Sequence, residues 1–143
     1  MGRYDLAMEY RVLKIGRWIV KFLFAVDKYE IGKTLALLDS MEASKEILER
    51  TREIMESGHM NTGFTFTNPS IFRAAVVVGP STSGKEFVNT LVHEIHHLAV
   101  AIASELGIDL ESETPAYIAG DSVLELADLI CELGCDKCSE YKA

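Results

Sequence analysis

Three of the four histidines fall within five residues, His93-Glu94-Ile95-His96-His97, a sequence with HExxH spacing. On an α-helix, residues four apart stand one turn above each other on a single face, so His93 and His97 can present two imidazoles to one cation. Glu94 stands about 100° round the helix, within reach of a metal-bound water without being a ligand. That arrangement is the logic of zinc hydrolysis. Two imidazoles and one further ligand leave a coordination position open, and the cation lowers the pKa of its water to about 7. Glu94 then accepts the proton and passes it to the leaving group. His96 is out of phase with the pair and is expected to be exposed or to support a ligand from behind. Val100 and Ala101 continue the side of the two ligands, which implies a covered face.

A third ligand is expected from the segment that follows, where Asp109, Glu111, Glu113 and Asp121 are the candidates. Glu113 is favoured. It opens Glu113-Thr114-Pro115-Ala116-Tyr117, in which a small residue at the fourth position lets its helix pack close to the first. Glu113, Tyr117 and Asp121 recur at intervals of four, so one face carries a ligand, a hydroxyl and an acceptor for an imidazole N–H. Tyr117 is the candidate oxyanion stabiliser, with simple packing as its competing role. Asp121 is the alternative ligand if the first helix runs far enough to leave Glu113 at the connecting end.

These side chains need elements to hold them. Trp18 to Ala25 is β-branched and aromatic and reads as a strand, and Tyr10 to Ile15 pairs with it across Gly16-Arg17. Glu30 to Met41 and Ser44 to Ser57 read as helices, the second ended by Gly58. Gly63 to Thr67 alternates as a strand does, Asn68-Pro69-Ser70 is a turn, and Arg73 to Gly79 is a further strand. Ser83 followed by Glu86 is a capping box, so a helix starts near Gly84 and runs to about Leu106, where Gly107 stops it. Its core stripe is Val88, Leu91, Ile95, Leu98, Ile102 and Leu106. A last helix covers Glu113 to Leu133, with Pro115 in its first turn and Gly134 at its end. The expectation is one α+β domain over residues 1–143, with a small mixed sheet, an active-site helix and a C-terminal helix.

HExxH followed by ExxA and a polar residue resembles the gluzincin branch of the zincin metallopeptidases. More closely, Gly63 to Asp121 resembles small proteins, classed as metallopeptidases, that phages and mobile elements of gut bacteria encode. The matching stretches are Gly63 to Asn68, Val76 to Gly79, Ser83 to Leu98 and Glu113 to Asp121. The resemblance implies His93, His97 and Glu113 as Zn2+ ligands and Glu94 as general base. It also implies a minimal zincin fold whose cleft is lined by an edge strand that pairs with an extended peptide. Ala74 to Val78 is the expected edge strand. A peptide or protein substrate is expected of a zinc peptidase, but the substrates themselves do not come with the resemblance.

Gly79 to Lys85 also matches GxxxxGK between a strand and a helix, the setting of a phosphate-binding loop. Glu86 stands where Ser or Thr would hold magnesium, and its carboxylate would repel phosphate. The loop therefore reads as a polar connection. Cys135 and Cys138 have CxxC spacing, with Cys131 nearby. Four ligands close a structural zinc site and a fourth is missing here, so reduced thiols are expected. His59 reads as an exposed loop residue.

With 14 Lys plus Arg against 22 Asp plus Glu the net charge is -8, which argues against a nucleic-acid or anionic-membrane partner. No apolar run approaches the roughly 18 residues of a membrane helix. The N-terminus has neither a signal-peptide core nor a myristoylation motif, and three clustered cysteines make a poor disulfide framework. A cytoplasmic protein is expected, and nothing in the sequence sets its oligomeric state. The leading functional expectation is a zinc-dependent peptidase. The competing one is a zinc-binding interaction module without catalysis, against which an intact Glu94 argues, since a structural zinc needs no base.

Overall fold

The computed structural model describes residues 9–26, 30–57, 63–81 and 83–134. Strands β1 (Glu9–Ile15) and β2 (Trp18–Phe24) form an antiparallel hairpin in register from Ile15 opposite Trp18 to Glu9 opposite Phe24. Gly16 makes the turn at φ 58°, a conformation that a Cβ disfavours. Helices α1 (Ile31–Ser40) and α2 (Lys45–Ser57) follow. The Ser44 hydroxyl caps α2 by accepting from the Ile47 amide at 3.2 Å. Then come β3 (Gly63–Asn68) and β4 (Arg73–Val78), and α3 (Gly84–Glu105) packs beneath the sheet. The chain is an α+β protein with a four-stranded mixed sheet in the order β1-β2-β4-β3. β2 and β4 are parallel, and the other two pairings are antiparallel.

Pleating sends alternate residues to opposite faces, and each face has its own core. Val20, Phe22, Ala74 and Val76 pack on Leu91, Ile95, Leu98 and Ile102 of α3. The other face carries Leu23, Val77, Ala75 and Phe66, which pack with Met55, Leu38 and Met41 from the α1–α2 side. The ends of α3 are built as the sequence predicts. Ser83 Oγ accepts from the Glu86 amide at 3.1 Å. At the other end Gly107 takes φ 69°, its amide bonds the Ser104 carbonyl, and the Ile108 amide bonds the Ala103 carbonyl. This is a Schellman closure. Of the predicted stripe, Leu106 is exposed because it is already the C-cap.

Two expectations are corrected. Ala74 to Val78 is not an edge strand. It lies in β4, which has β2 on one side and β3 on the other, and all five residues are buried. A continuous apolar run is what a strand covered on both faces requires. The edge strand is Gly63–Asn68. Nor is the last helix single: it divides into α4 (Thr114–Glu125) and α5 (Ala127–Gly134) at Leu126. Four residues before the break, the buried Ser122 donates its hydroxyl to the Ile118 carbonyl at 2.8 Å, a back-bond that bends helices. The bend lets Leu126, Leu129 and Leu133 all reach the α3 core. Among the described residues, no helix is long and apolar enough to cross a membrane.

Candidate active site

The HExxH segment lies in the middle of α3, with its histidines exposed and its glutamate buried. His93 and His97 are exposed, with their Nε2 atoms 3.1 Å apart and their rings near perpendicular at 83°. Two imidazole nitrogens on one tetrahedral cation at roughly 2.05 Å stand about 3.3 Å apart, so the pair has the separation that a shared metal needs. His96 is also exposed, with its ring tilted 53° to that of His97. The side continued by Val100 and Ala101 is only half covered.

Glu94 is 4% exposed. A buried carboxylate is costly unless it accepts hydrogen bonds. Its partner is Thr65 on β3, whose hydroxyl stands 2.9 Å from Glu94 Oε1 and 3.1 Å from the Glu94 carbonyl oxygen. One hydroxyl has one proton, so these two acceptors share it. The bond ties the edge strand to the helix directly beside the imidazole pair. Gly63, Thr65 and Thr67 of β3, with His93, Glu94, His97 and Ala101 of α3, line a cleft of about 420 Å³. Gly63 is required there because a Cβ would collide with the Val77 carbonyl oxygen across the ladder.

Thr65 is the residue that sequence reasoning missed. The signal was present in GFTFT. Its two phenylalanines claim one face, so Gly63, Thr65 and Thr67 must share the other. The strand's alternation does not say which helix that face meets.

The candidate third ligands are placed differently. Glu113 is the exposed N-cap residue of α4, and Tyr117 Oη donates to Glu113 Oε2 at 3.0 Å. The two residues expected on one helical face are thus joined to each other, and neither lines the imidazole cleft. Asp121 and Tyr117 line a separate groove against β1. Asp109 and Glu111 are exposed in the turn before α4, where Asp109 Oδ1 accepts from the Glu111 amide at 3.0 Å. Among the described residues, no three of His, Cys, Asp and Glu are gathered as a metal-holding group. The donor set therefore fits a metal as two imidazoles with a carboxylate base beside them, and the third ligand is not assembled.

No family model, curated protein or solved structure matches the chain. Any functional reading of the cleft stands on its own residues. Lys85 and Glu86 are exposed in the first turn of α3. The hydroxyl that precedes them caps the helix, as in a polar strand-to-helix connection. Cys131 is exposed and free, while His59, Cys135 and Cys138 lie outside the described residues.

Proposed function

We propose that the chain is a zinc-dependent metallopeptidase whose centre is the cleft between β3 and α3. The observation that carries this reading is the convergence of His93 and His97 Nε2 at 3.1 Å beside a buried glutamate oriented by Thr65. His93 and His97 would hold the metal, and Glu113, which is bonded to Tyr117 outside this cleft, is the third ligand that the resemblance implies. A zinc ion held there supplies Lewis acidity and acidifies the water it binds.

The remaining work falls to the chain's own side chains. Thr65 occupies Glu94 Oε1, which leaves Oε2 to take a proton from an attacking water and to return it to the leaving amine. Among the described residues β3 is paired on one side only, by β4, so its outer edge offers main-chain groups to an extended peptide. The substrate is therefore a peptide or an unfolded stretch of protein. Tyr117 is the candidate stabiliser of the developing oxyanion, and to serve it would have to leave both its bond to Glu113 and the groove against β1. The acidic charge and the odd, clustered cysteines support a cytoplasmic location.

The test is metal content by mass spectrometry after reconstitution with zinc. One zinc per chain is expected in the parent, none in His93→Ala and weaker retention in Glu113→Gln. Glu94→Gln should keep the zinc and abolish hydrolysis of a peptide library. No zinc in the parent would sink the reading. Zinc with no peptide hydrolysis in the parent would favour a zinc-binding interaction module.

A further inference from the structure

Among the described residues, β1 is the other edge of the sheet. Its outward flank borders a groove of about 550 Å³ between Val12–Gly16 and the α4 residues Tyr117, Asp121, Leu124 and Glu125. On the α4 wall Tyr117 is 64% exposed and Leu124 71%, while Val12, 52% exposed, turns its side chain to the sheet's other face. The α1–α2 layer packs over β2, β4 and β3, so Tyr10 and Val12 also stand open on that face, and Tyr10 is 44% exposed. An unpaired strand edge with apolar side chains on it is a template for another strand.

The charges select the occupant. From Glu86 to Asp136 the chain has eleven Asp or Glu and no Lys or Arg. The α4 wall of the groove shares this bias through Asp121 and Glu125, both exposed. An incoming strand must therefore be apolar and cationic. β1 itself has that composition, EYRVLKI, with Arg11 and Lys14 against one Glu9.

We infer that β1 pairs antiparallel with β1 of a second copy about a two-fold axis at Val12, making one continuous eight-stranded sheet. This register pairs all seven residues of the strand. It sets Val12 against Val12 and Tyr10 against Lys14 on the open face. On the other face it sets the partner copy's Arg11 against Leu13. Leu13 lines the groove together with Asp121 and Glu125, so each guanidinium enters an acidic wall. A shift that centres the axis on Arg11 would oppose two like charges, which destabilises a pair. Within one chain Arg11 bonds Glu9 at 3.1 Å, a half-exposed ion pair that is cheap to exchange. The axis lies at the sheet edge opposite β3, so both β3–α3 clefts remain open in the dimer.

The experiment is sedimentation velocity and light scattering on the full chain, independent of metal and of activity. A dimer is expected. Val12→Lys sets two ammonium groups face to face at the axis and should weaken the dimer at least about tenfold. Val12 is exposed, so the circular dichroism spectrum should stay at the parent's, and any drop in thermal midpoint should vanish at concentrations where the parent is also monomeric. Arg11→Glu should dissociate the dimer in the same way, and Asp121→Lys with Glu125→Lys in the same chain should restore it. A parent that remains monomeric at every concentration overturns the inference. So does a dimer indifferent to Val12→Lys and Arg11→Glu, which would have to use another surface.

Discussion

Replacing Thr65 by Val keeps the β-branched shape on β3 and removes the one side-chain hydroxyl that bonds the Glu94 carboxylate, at 2.9 Å. A hydrogen bond to a carboxylate contributes about 1.5–3 kcal/mol when it is buried. Glu94 is 4% exposed, but it borders an open cleft from which water can partly replace the hydroxyl. A loss of about 1–2 kcal/mol is therefore expected. For a chain of 143 residues this lowers the melting midpoint by about 3–8 °C. Circular dichroism melts and urea titrations would measure it, with an unchanged m-value confirming that only stability moved. The control is Glu94→Leu. In that background Thr65 retains only the main-chain Glu94 oxygen at 3.1 Å as acceptor. Thr65→Val should then cost no more than about 0.5 kcal/mol, because the hydroxyl being removed has already lost its charged acceptor. The coupling energy from the cycle should thus be at least about 0.5 kcal/mol. Equal costs in the two backgrounds would refute the claim that this bond holds Glu94.

Two further substitutions check the elements that position the cleft. Gly63→Ala drives a Cβ into the Val77 carbonyl oxygen, a backbone atom that cannot rotate away. It should cost about 1–3 kcal/mol, and hydrogen exchange should quicken first at the β3 amides. Ser83→Ala removes the acceptor of the Glu86 amide at the start of α3 and should cost about 1 kcal/mol in a denaturation titration. A loss near zero there would mean that solvent satisfies the amide as well as the serine does.

The parts of the fold legible in the sequence are those decided within a few residues. The β1–β2 hairpin follows from apolar strands around Gly16, and both ends of α3 follow from Ser83 and Gly107. Strand order is decided elsewhere. β4 joins β2 in parallel only after the chain has built α1, α2 and β3, and no local pattern encodes that return. The unbroken apolar run of Arg73–Val78 did carry the hint that it lies inside the sheet, since an edge strand with one wet face would alternate. The imidazole pair was legible because both residues belong to one helix, where spacing alone fixes their relation. Glu113 and Asp121 are on another element, and their relation to the pair depends on how α4 docks and bends. There the i, i+4 spacing that suggested a shared ligand face instead gave the Tyr117–Glu113 bond.

The placement of Glu94 deserves a physical explanation, because it occupies a position that a packed helix reserves for a hydrophobe. The buried positions of α3 include Phe87, Leu91, Leu98 and Ile102, and Glu94 lies three residues after Leu91 and four before Leu98. It is in phase with the core stripe. An apolar residue at 94 would bury more favourably against the sheet, and an unpartnered carboxylate would be strongly unfavourable. Two features make the acid tolerable. The strand above it is the last in the sheet, so the site opens at one side, and that strand turns Gly63, Thr65 and Thr67 toward α3 instead of its phenylalanines. His93 precedes Glu94 by about 100° of rotation and His97 lies one turn above His93, which puts both imidazoles at the wet margin of the same stripe. A helix that served packing alone would place its polar residues on the far side. This one puts an acid on the core side of the margin, two bases just outside it and a hydroxyl overhead. That departure from the rule for burying charge is where the chain gives up stability to hold a carboxylate beside two imidazoles.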